Sequence, residues 1–485
     1  MYHTCTADGT CICIPDCEDK ECGSDGCGGL CAMCGCGEQC QSYLCTFIAC
    51  EGRECGSDGC GGSCGSCGQQ AACVVGSCPE PGVQCFDDND VEWDGCTGSQ
   101  VTEFLVNDNT SGNQELPDVI ALSTGDYVIA YQDSEGDSGS YGIRLRWLPG
   151  DGSLASPSVL ANTFQNASQT EPSIARLTNG SFVVVWQSSG QDGWMSGIYG
   201  QRYTSLGVKA GAEFQCNSYT DYAQENPTVS GLPSGGFTVL WESSGQDGSG
   251  KGIYAKDFDA EGSAVSPEHR INSYTIADQG MPAVTGLASG GHLATWGSFS
   301  QDNDGWGIFA QMFDETGQPA GLEFQANTTT YSYQSYPQAT TLGTGGFVIV
   351  WQSQAQDGEG LGVVGQRFGA MGPTGSEFLL NQTTAMDQRN VDIAHRPGGG
   401  FVAVWESDSV DTEFDIVARL YDATGTPEGN EMVVNKYVTG DQTYPKVDVF
   451  EDGSFVVVWA SSGQDGSNRG VYARRLSPTG ELIWR

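Results

Sequence analysis

Basic residues are scarce in this sequence. Lysine and arginine together number 20 in 485 residues, against 61 aspartates and glutamates, for a formal net charge of −41. So few cations cannot neutralise a phosphate backbone, which excludes a general nucleic-acid binder. An anionic membrane surface is an equally poor partner. No apolar run reaches 18 residues, so neither a transmembrane helix nor membrane insertion is expected. The chain does not open on a basic and then apolar stretch, so no signal peptide is expected within it. Histidine occurs four times, and no serine or cysteine nucleophile is placed beside one by sequence logic. Cysteine is almost absent from most of the chain, with only Cys216 beyond residue 96.

Glycine, by contrast, fills 70 positions, which suits a turn-dense β protein. The other twenty cysteines crowd the first 96 residues and belong to a duplicated module. Cys17, Cys22, Cys27, Cys31, Cys34, Cys40 and Cys45 recur 33 residues later as Cys50, Cys55, Cys60, Cys64, Cys67, Cys73 and Cys78. The two copies span 17–45 and 50–78, and each carries CGSDGCGG. So little apolar material forms no core, so cross-links must restrain the chain instead. Disulfides in an oxidising, extracellular compartment are the expected chemistry. The Cys31-x-x-Cys34 and Cys64-x-x-Cys67 spacings would also suit zinc, but zinc leaves most of the other thiols unexplained.

A second domain is expected over 97–485, after the cysteine-rich modules of 1–96. Trp186, Trp241, Trp296, Trp351, Trp405 and Trp459 fall at steps of 55, 55, 55, 54 and 54, and Tyr131 stands one step earlier. Each unit reads as four strands, A to D. An apolar stretch follows a proline, as in Pro172–Leu177, and a glycine turn follows that. Next come an FVVVW run such as Phe182–Trp186, a polar SSGQDG loop, a GIYGQRY strand at 197–203 and a short fourth strand such as Glu213–Asn217. Seven such units predict an all-β, seven-bladed propeller. A solenoid would need polar caps, which the sequence does not supply. Val101–Asn107 matches strand D of the other units and is expected to close the ring with the last blade, with Glu481–Arg485 competing for that role.

The run FVVVWQSSGQDG…GIYGQRY resembles a repeat found in secreted and surface-attached bacterial proteins, and the CGSDGCGG arm is similar to cysteine-rich modules of bacterial surface proteins. The resemblance implies a propeller fold and an extracellular or cell-surface location. It carries no catalytic motif.

Three polar columns recur in all seven units. They are an asparagine (Asn107, Asn162, Asn217, Asn272, Asn327, Asn381, Asn435), a glutamine seven residues later, and an aspartate six residues after the tryptophan position. Alternation puts all three on the face that carries the B–C and D–A loops. A residue kept in every blade serves something every blade needs, here the amides of glycine-rich loops. The aspartates Asp137, Asp192, Asp247, Asp302, Asp357 and Asp465 are also hard oxygen donors, and calcium is the one cofactor they suit. Against it, each loop offers one regular carboxylate and no D-x-D-x-D-G loop occurs.

The tryptophan column is expected to pack between blades, His292 to fill a core position in place of phenylalanine, and Cys216 to be a buried free thiol. Trp194, Trp306, Tyr222, Tyr274, Tyr333 and Tyr444 depart from the repeat on the same loop face. Rings beside amides and carboxylates suit a sugar. The function expected from these residues is a non-catalytic binding or adhesion protein, not an enzyme. Its partner would be a glycan or a protein on a cell surface. The alternatives are a subunit of an extracellular filament, sheath or coat built from copies of the chain, and a secreted hydrolase.

Overall fold

The computed structural model describes residues 39–41, 44–46, 66–67, 85–86, 103–137, 140–150, 155–343, 345–408 and 413–481. The chain divides into two compact units, Met1–Val101 and Thr102–Ile483. In the first, Gln39–Gln41 pairs antiparallel with Leu44–Thr46, and Ser66–Cys67 with Cys85–Phe86. The side chains of the cysteines expected to form disulfides lie outside the described residues.

The second unit is a ring of seven four-stranded antiparallel sheets, each in the chain order A-B-C-D. In blade 2 the strands are Gln169–Arg176, Phe182–Ser189, Ser196–Tyr203 and Phe214–Gln215. Blade 7 takes A, B and C from Gln442–Val449, Phe455–Ser462 and Arg469–Leu476, and its fourth strand is Phe104–Leu105 from the start of the domain. Leu105 sits opposite Tyr472 and Phe104 opposite Ala473. The Val106 amide then donates to the Val471 carbonyl at 2.7 Å. This closes the ring and leaves no sheet edge where first and last blades meet. No helix among the described residues is long and apolar enough to cross a membrane.

The B strands read FVVVW without polar alternation because both faces of each blade are covered by neighbours. Trp241 of blade 3 packs with Val183, Val185 and Ile198 of blade 2, and Tyr131 of blade 1 packs with Val456 and Val458 of blade 7. All six tryptophans of the column are fully buried. Below them an aromatic pair spans strands B and C: Phe182 stacks on Tyr203, Phe237 on Phe258, and Phe401 on Tyr421. His292 takes the phenylalanine's place in blade 4, its ring 4.7 Å from that of Phe313. Burial holds His292 down to about 4, with Asp257 opposing that effect and His269 adding to it. Cys216 is buried and free, and burial pushes its thiol far above the ordinary range.

Every inner strand A contains a β-bulge two residues after its first glutamine. The bulged residues are Leu116, Glu171, Asn226, Met281, Tyr336, Asn390 and Tyr444, all at φ between 50° and 56°. None is glycine, so each holds a conformation disfavoured for its side chain.

Candidate active site

The three repeated polar columns form one hydrogen-bonded scaffold under the loops. In blade 2, Asn217 Oδ1 accepts from the Ile198 amide at 2.8 Å, while its Nδ2 donates to the Tyr219 carbonyl at 2.9 Å and to Gln224 Oε1 at 3.1 Å. Gln224 in turn donates to the Asp221 carbonyl at 3.1 Å. The aspartates join the same scaffold. Asp137, Asp357 and Asp465 accept from Asn162, Asn381 and Asn107 at 3.1, 2.7 and 3.4 Å. Asp302 accepts from Gln325 at 3.3 Å, and Asp192 and Asp247 accept from the backbone amides of Trp194 and Ser249 at 3.3 and 3.1 Å. Asp192, Asp247, Asp302, Asp357 and Asp465 each need the glycine near the start of strand C. A Cβ at Gly197 would lie 2.6 Å from Asp192 Oδ2, and one at Gly307 2.5 Å from Asp302 Oδ2. Blade 6 solves the same problem in reverse. Asp411 lies outside the described residues, and Asp415, at the glycine position opposite Ser407, accepts from Asn435 at 2.7 Å. Among the described residues no group of three or more His, Cys, Asp or Glu is placed to hold a metal ion.

Inside this scaffold the A strands of neighbouring blades contact one another around the ring, and their seven bulge residues, of five kinds, surround the mouth of the central channel. Across the mouth, Tyr336 of blade 5 is raised by burial and then by Glu242, Glu171 and Tyr444 of blades 3, 2 and 7. The backbone amide of a bulge is capped by the residue after the tryptophan position of the preceding blade. Gln132 accepts from Glu171 at 3.2 Å, Glu242 from Met281 at 2.7 Å, Gln352 from Asn390 at 3.1 Å and Glu406 from Tyr444 at 2.7 Å. The strained conformation is thereby locked by side chains that are themselves buried.

Chemically the mouth has sectors. Glu115, Glu171, Glu225 and Glu242 come from blades 1 to 3. Lys251 Nζ lies 2.8 Å from Glu225 and 2.7 Å from Glu242, so these two carboxylates share one ammonium. Glu115 accepts from Gln132, Tyr141 and Arg469 at 3.2, 3.3 and 3.0 Å. Glu171 differs: its carboxyl has no hydrogen-bond or ion-pair partner among the described residues. Burial, then Glu115, Glu242 and Glu225, raises it above the ordinary carboxylate range, opposed weakly by Lys446. Next to this sector, from blade 4 onward, aromatic side chains join the mouth. Trp306 packs edge-on against Phe299, with ring centroids 5.5 Å apart, and Arg389 stacks 3.9 Å above Phe414 while bonding Glu406 at 2.8 Å.

Beneath the mouth the inner strands cap one another. Asp118, Asp392 and Asp448 accept from the amides of Ile174, Val447 and Ala121 at 2.9, 2.9 and 2.7 Å, each reaching to the next blade. Burial pushes Asp118 and Asp448 up to about 6, and Lys446 sits 3.3 Å from Asp392.

The structure sorts the six aromatic residues singled out from sequence. Tyr444 is a bulge residue, beside the Arg469 guanidinium at 5.6 Å. Trp306 also lines the mouth, its ring 3.8 Å from the Cβ direction of Gly280, which lies 3.0 Å from Glu242 Oε1. Trp194, Tyr222 and Tyr333 lie on the surrounding loops, 65, 55 and 49% exposed, and Tyr274 is half-buried there. Sequence reasoning missed the glutamates. Glu171 stands directly before the inner-strand proline in QTEP, and Glu115 and Glu225 stand one residue earlier in QELP and QENP, positions that change from blade to blade. His395 lies at the far end of its strand, Nδ1 2.9 Å from the Thr341 carbonyl, and Arg396 pairs with Glu428 at 2.5 Å.

No protein-family model and no curated protein matches the chain. Similar solved structures include a protein of unknown function from Dyadobacter fermentans, 13% identical with TM-score 0.48, covering 79% of this chain and 99% of that one. A sialidase from Streptococcus pneumoniae is 10% identical with TM-score 0.45, covering 79% and 71%. An α-L-arabinanase from Penicillium chrysogenum, complexed with arabinobiose, is 11% identical with TM-score 0.46, covering 79% and 100%. The sialidase and the arabinanase correct two expectations drawn from sequence, that the chain is a non-catalytic binding or adhesion protein and that it is no enzyme. Both of these neighbours are enzymes named for carbohydrate.

Proposed function

We propose that the chain is a carbohydrate-active hydrolase, cutting a glycosidic bond at the mouth of the central channel. The observation that carries this reading is Glu171, an unpaired carboxyl on a strained bulge, raised by burial and by three neighbouring glutamates. A carboxyl whose protonated form is favoured in this way can protonate a leaving glycosidic oxygen. Glycoside hydrolysis needs a second, ionised carboxylate on the other side of the bond. Glu225 on the adjoining blade fills that role, ion-paired with Lys251 and half-exposed at the mouth. Trp306 and Tyr336 offer faces for the sugar ring. The cysteine-dense arm and the acidic surface suit a protein working outside the cell, on a glycan rather than on nucleic acid.

The test is hydrolysis of a panel of aryl glycosides and oligosaccharides by the full chain and by Glu171→Gln. On the substrate that the parent cleaves, the variant should lose about 10²–10⁴-fold in kcat with an unchanged melting curve. A parent that cleaves none of the panel, or a variant as active as the parent, overturns the reading.

A further inference from the structure

The mouth holds five carboxylates, Glu115, Glu171, Glu225, Glu242 and Glu406, against three cations, and every cation is already engaged. Lys251 is held by Glu225 and Glu242 at 2.8 and 2.7 Å, Arg389 by Glu406 at 2.8 Å and Arg469 by Glu115 at 3.0 Å. Lys446, deeper in the channel, pairs with Asp392 at 3.3 Å. Recognition of a carboxylate, sulfate or phosphate on a sugar requires a free guanidinium or ammonium, best offered as a two-pronged fork. Here an anionic group would meet Arg469 and Arg389 already paired with Glu115 and Glu406, whose carboxylates would stand beside it. Glu406 is fully buried, and a buried charge stripped of its partner is strongly disfavoured. The excess negative charge repels the same ligand before it docks, and Glu171 is raised by burial and then by the neighbouring Glu115, Glu242 and Glu225.

Resting on the hydrolase reading above, we propose that this mouth selects an uncharged glycan and rejects sugars carrying a carboxylate, sulfate or phosphate. The ion pairs act as a charge filter. They present carboxylate oxygens and paired cations to hydroxyl groups, while Trp306 and Tyr336 meet the apolar face of the ring. Arg469 is the latent acidic-sugar site, kept closed by Glu115.

The experiment measures binding by calorimetry on the full chain carrying Glu171→Gln, so that ligand is not consumed. Neutral arabino- and xylo-oligosaccharides are compared with sialyllactose and oligogalacturonate of matched length. Neutral ligands should bind at least tenfold more tightly. Adding Glu115→Gln, which frees Arg469, should shift the ratio of acidic to neutral affinity by about tenfold toward the acidic ligands. Equal or tighter binding of the acidic sugars by the single variant overturns the filter, and so does an unchanged ratio in the double variant. Two further outcomes separate this inference from the hydrolase reading. If neutral ligands are preferred as stated but the parent chain cleaves no glycoside, the hydrolase reading falls and the filter stands. If the parent cleaves sialosides, the hydrolase reading stands and the filter falls. If no ligand of either kind binds, both fall.

Discussion

Six asparagines, one to a blade, make the same three hydrogen bonds, to a strand C amide, to a loop carbonyl and to a glutamine seven residues on. Asn435 makes the first two and turns to Asp415. A few ångströms inward, the seven bulge residues share a backbone conformation and little else: Leu116, Glu171, Asn226, Met281, Tyr336, Asn390 and Tyr444. The outer layer solves one folding problem seven times, so selection for stability keeps it uniform. The inner layer uses that uniform frame to hold seven side chains of five kinds around one mouth, which is how a symmetric ring can present an asymmetric site.

Breaking the uniform layer should have the largest effect on stability. Trp241→Ala empties a fully buried site between blades 2 and 3 and should cost about 3–5 kcal/mol, read from denaturant unfolding of the full chain. His292, the one deviation inside the aromatic stack, should matter through pH. Its folded value is held down to about 4 against 6.5 unfolded, so the unfolded chain takes up a proton first as pH falls. Stability is therefore lost between about pH 6.5 and 4, and His292→Phe should remove up to about 3 kcal/mol of that loss. Comparing melting curves of parent and variant at pH 7 and pH 4 checks it; an equal shift in both proteins contradicts it.

Smaller effects sharpen the same contrast. Asn217→Leu orphans the Ile198 amide and the Gln224 acceptor, and should cost about 1–3 kcal/mol. Trp194→Ala, on the exposed loop rim, should change stability by no more than about 0.5 kcal/mol. A large loss there would move the rim into the structural layer.

The same contrast explains what the sequence disclosed. Blade count, the buried tryptophan column, the free Cys216 and closure by the segment around Phe104–Leu105 were all legible, because each is a periodic feature or its missing member. The polar columns were legible as loop scaffold for the same reason. The mouth was not. Its residues differ between blades, so no repeat marks them, and the bulge shifts side chains by one position, which defeats the two-residue alternation of a regular strand. Glu242 and Glu406 were hidden differently, standing directly after a tryptophan where Gln132 and Gln352 do equivalent work. The swap of loop aspartate for Asp415 in blade 6 shows that the scaffold constrains a volume rather than a sequence position.

The central claim is that Glu171 works as a proton donor because burial and the neighbouring carboxylates favour its protonated form. The pH dependence of kcat/KM on a cleaved glycoside tests this most directly. A general acid must carry its proton, so the rate should fall on the alkaline side as pH rises through the raised value of Glu171. Glu225→Gln removes one of the like charges that raise Glu171 and should move that limb to lower pH in whatever activity remains, while Glu171→Gln should abolish the limb. An alkaline limb that persists unchanged in Glu171→Gln would contradict the account.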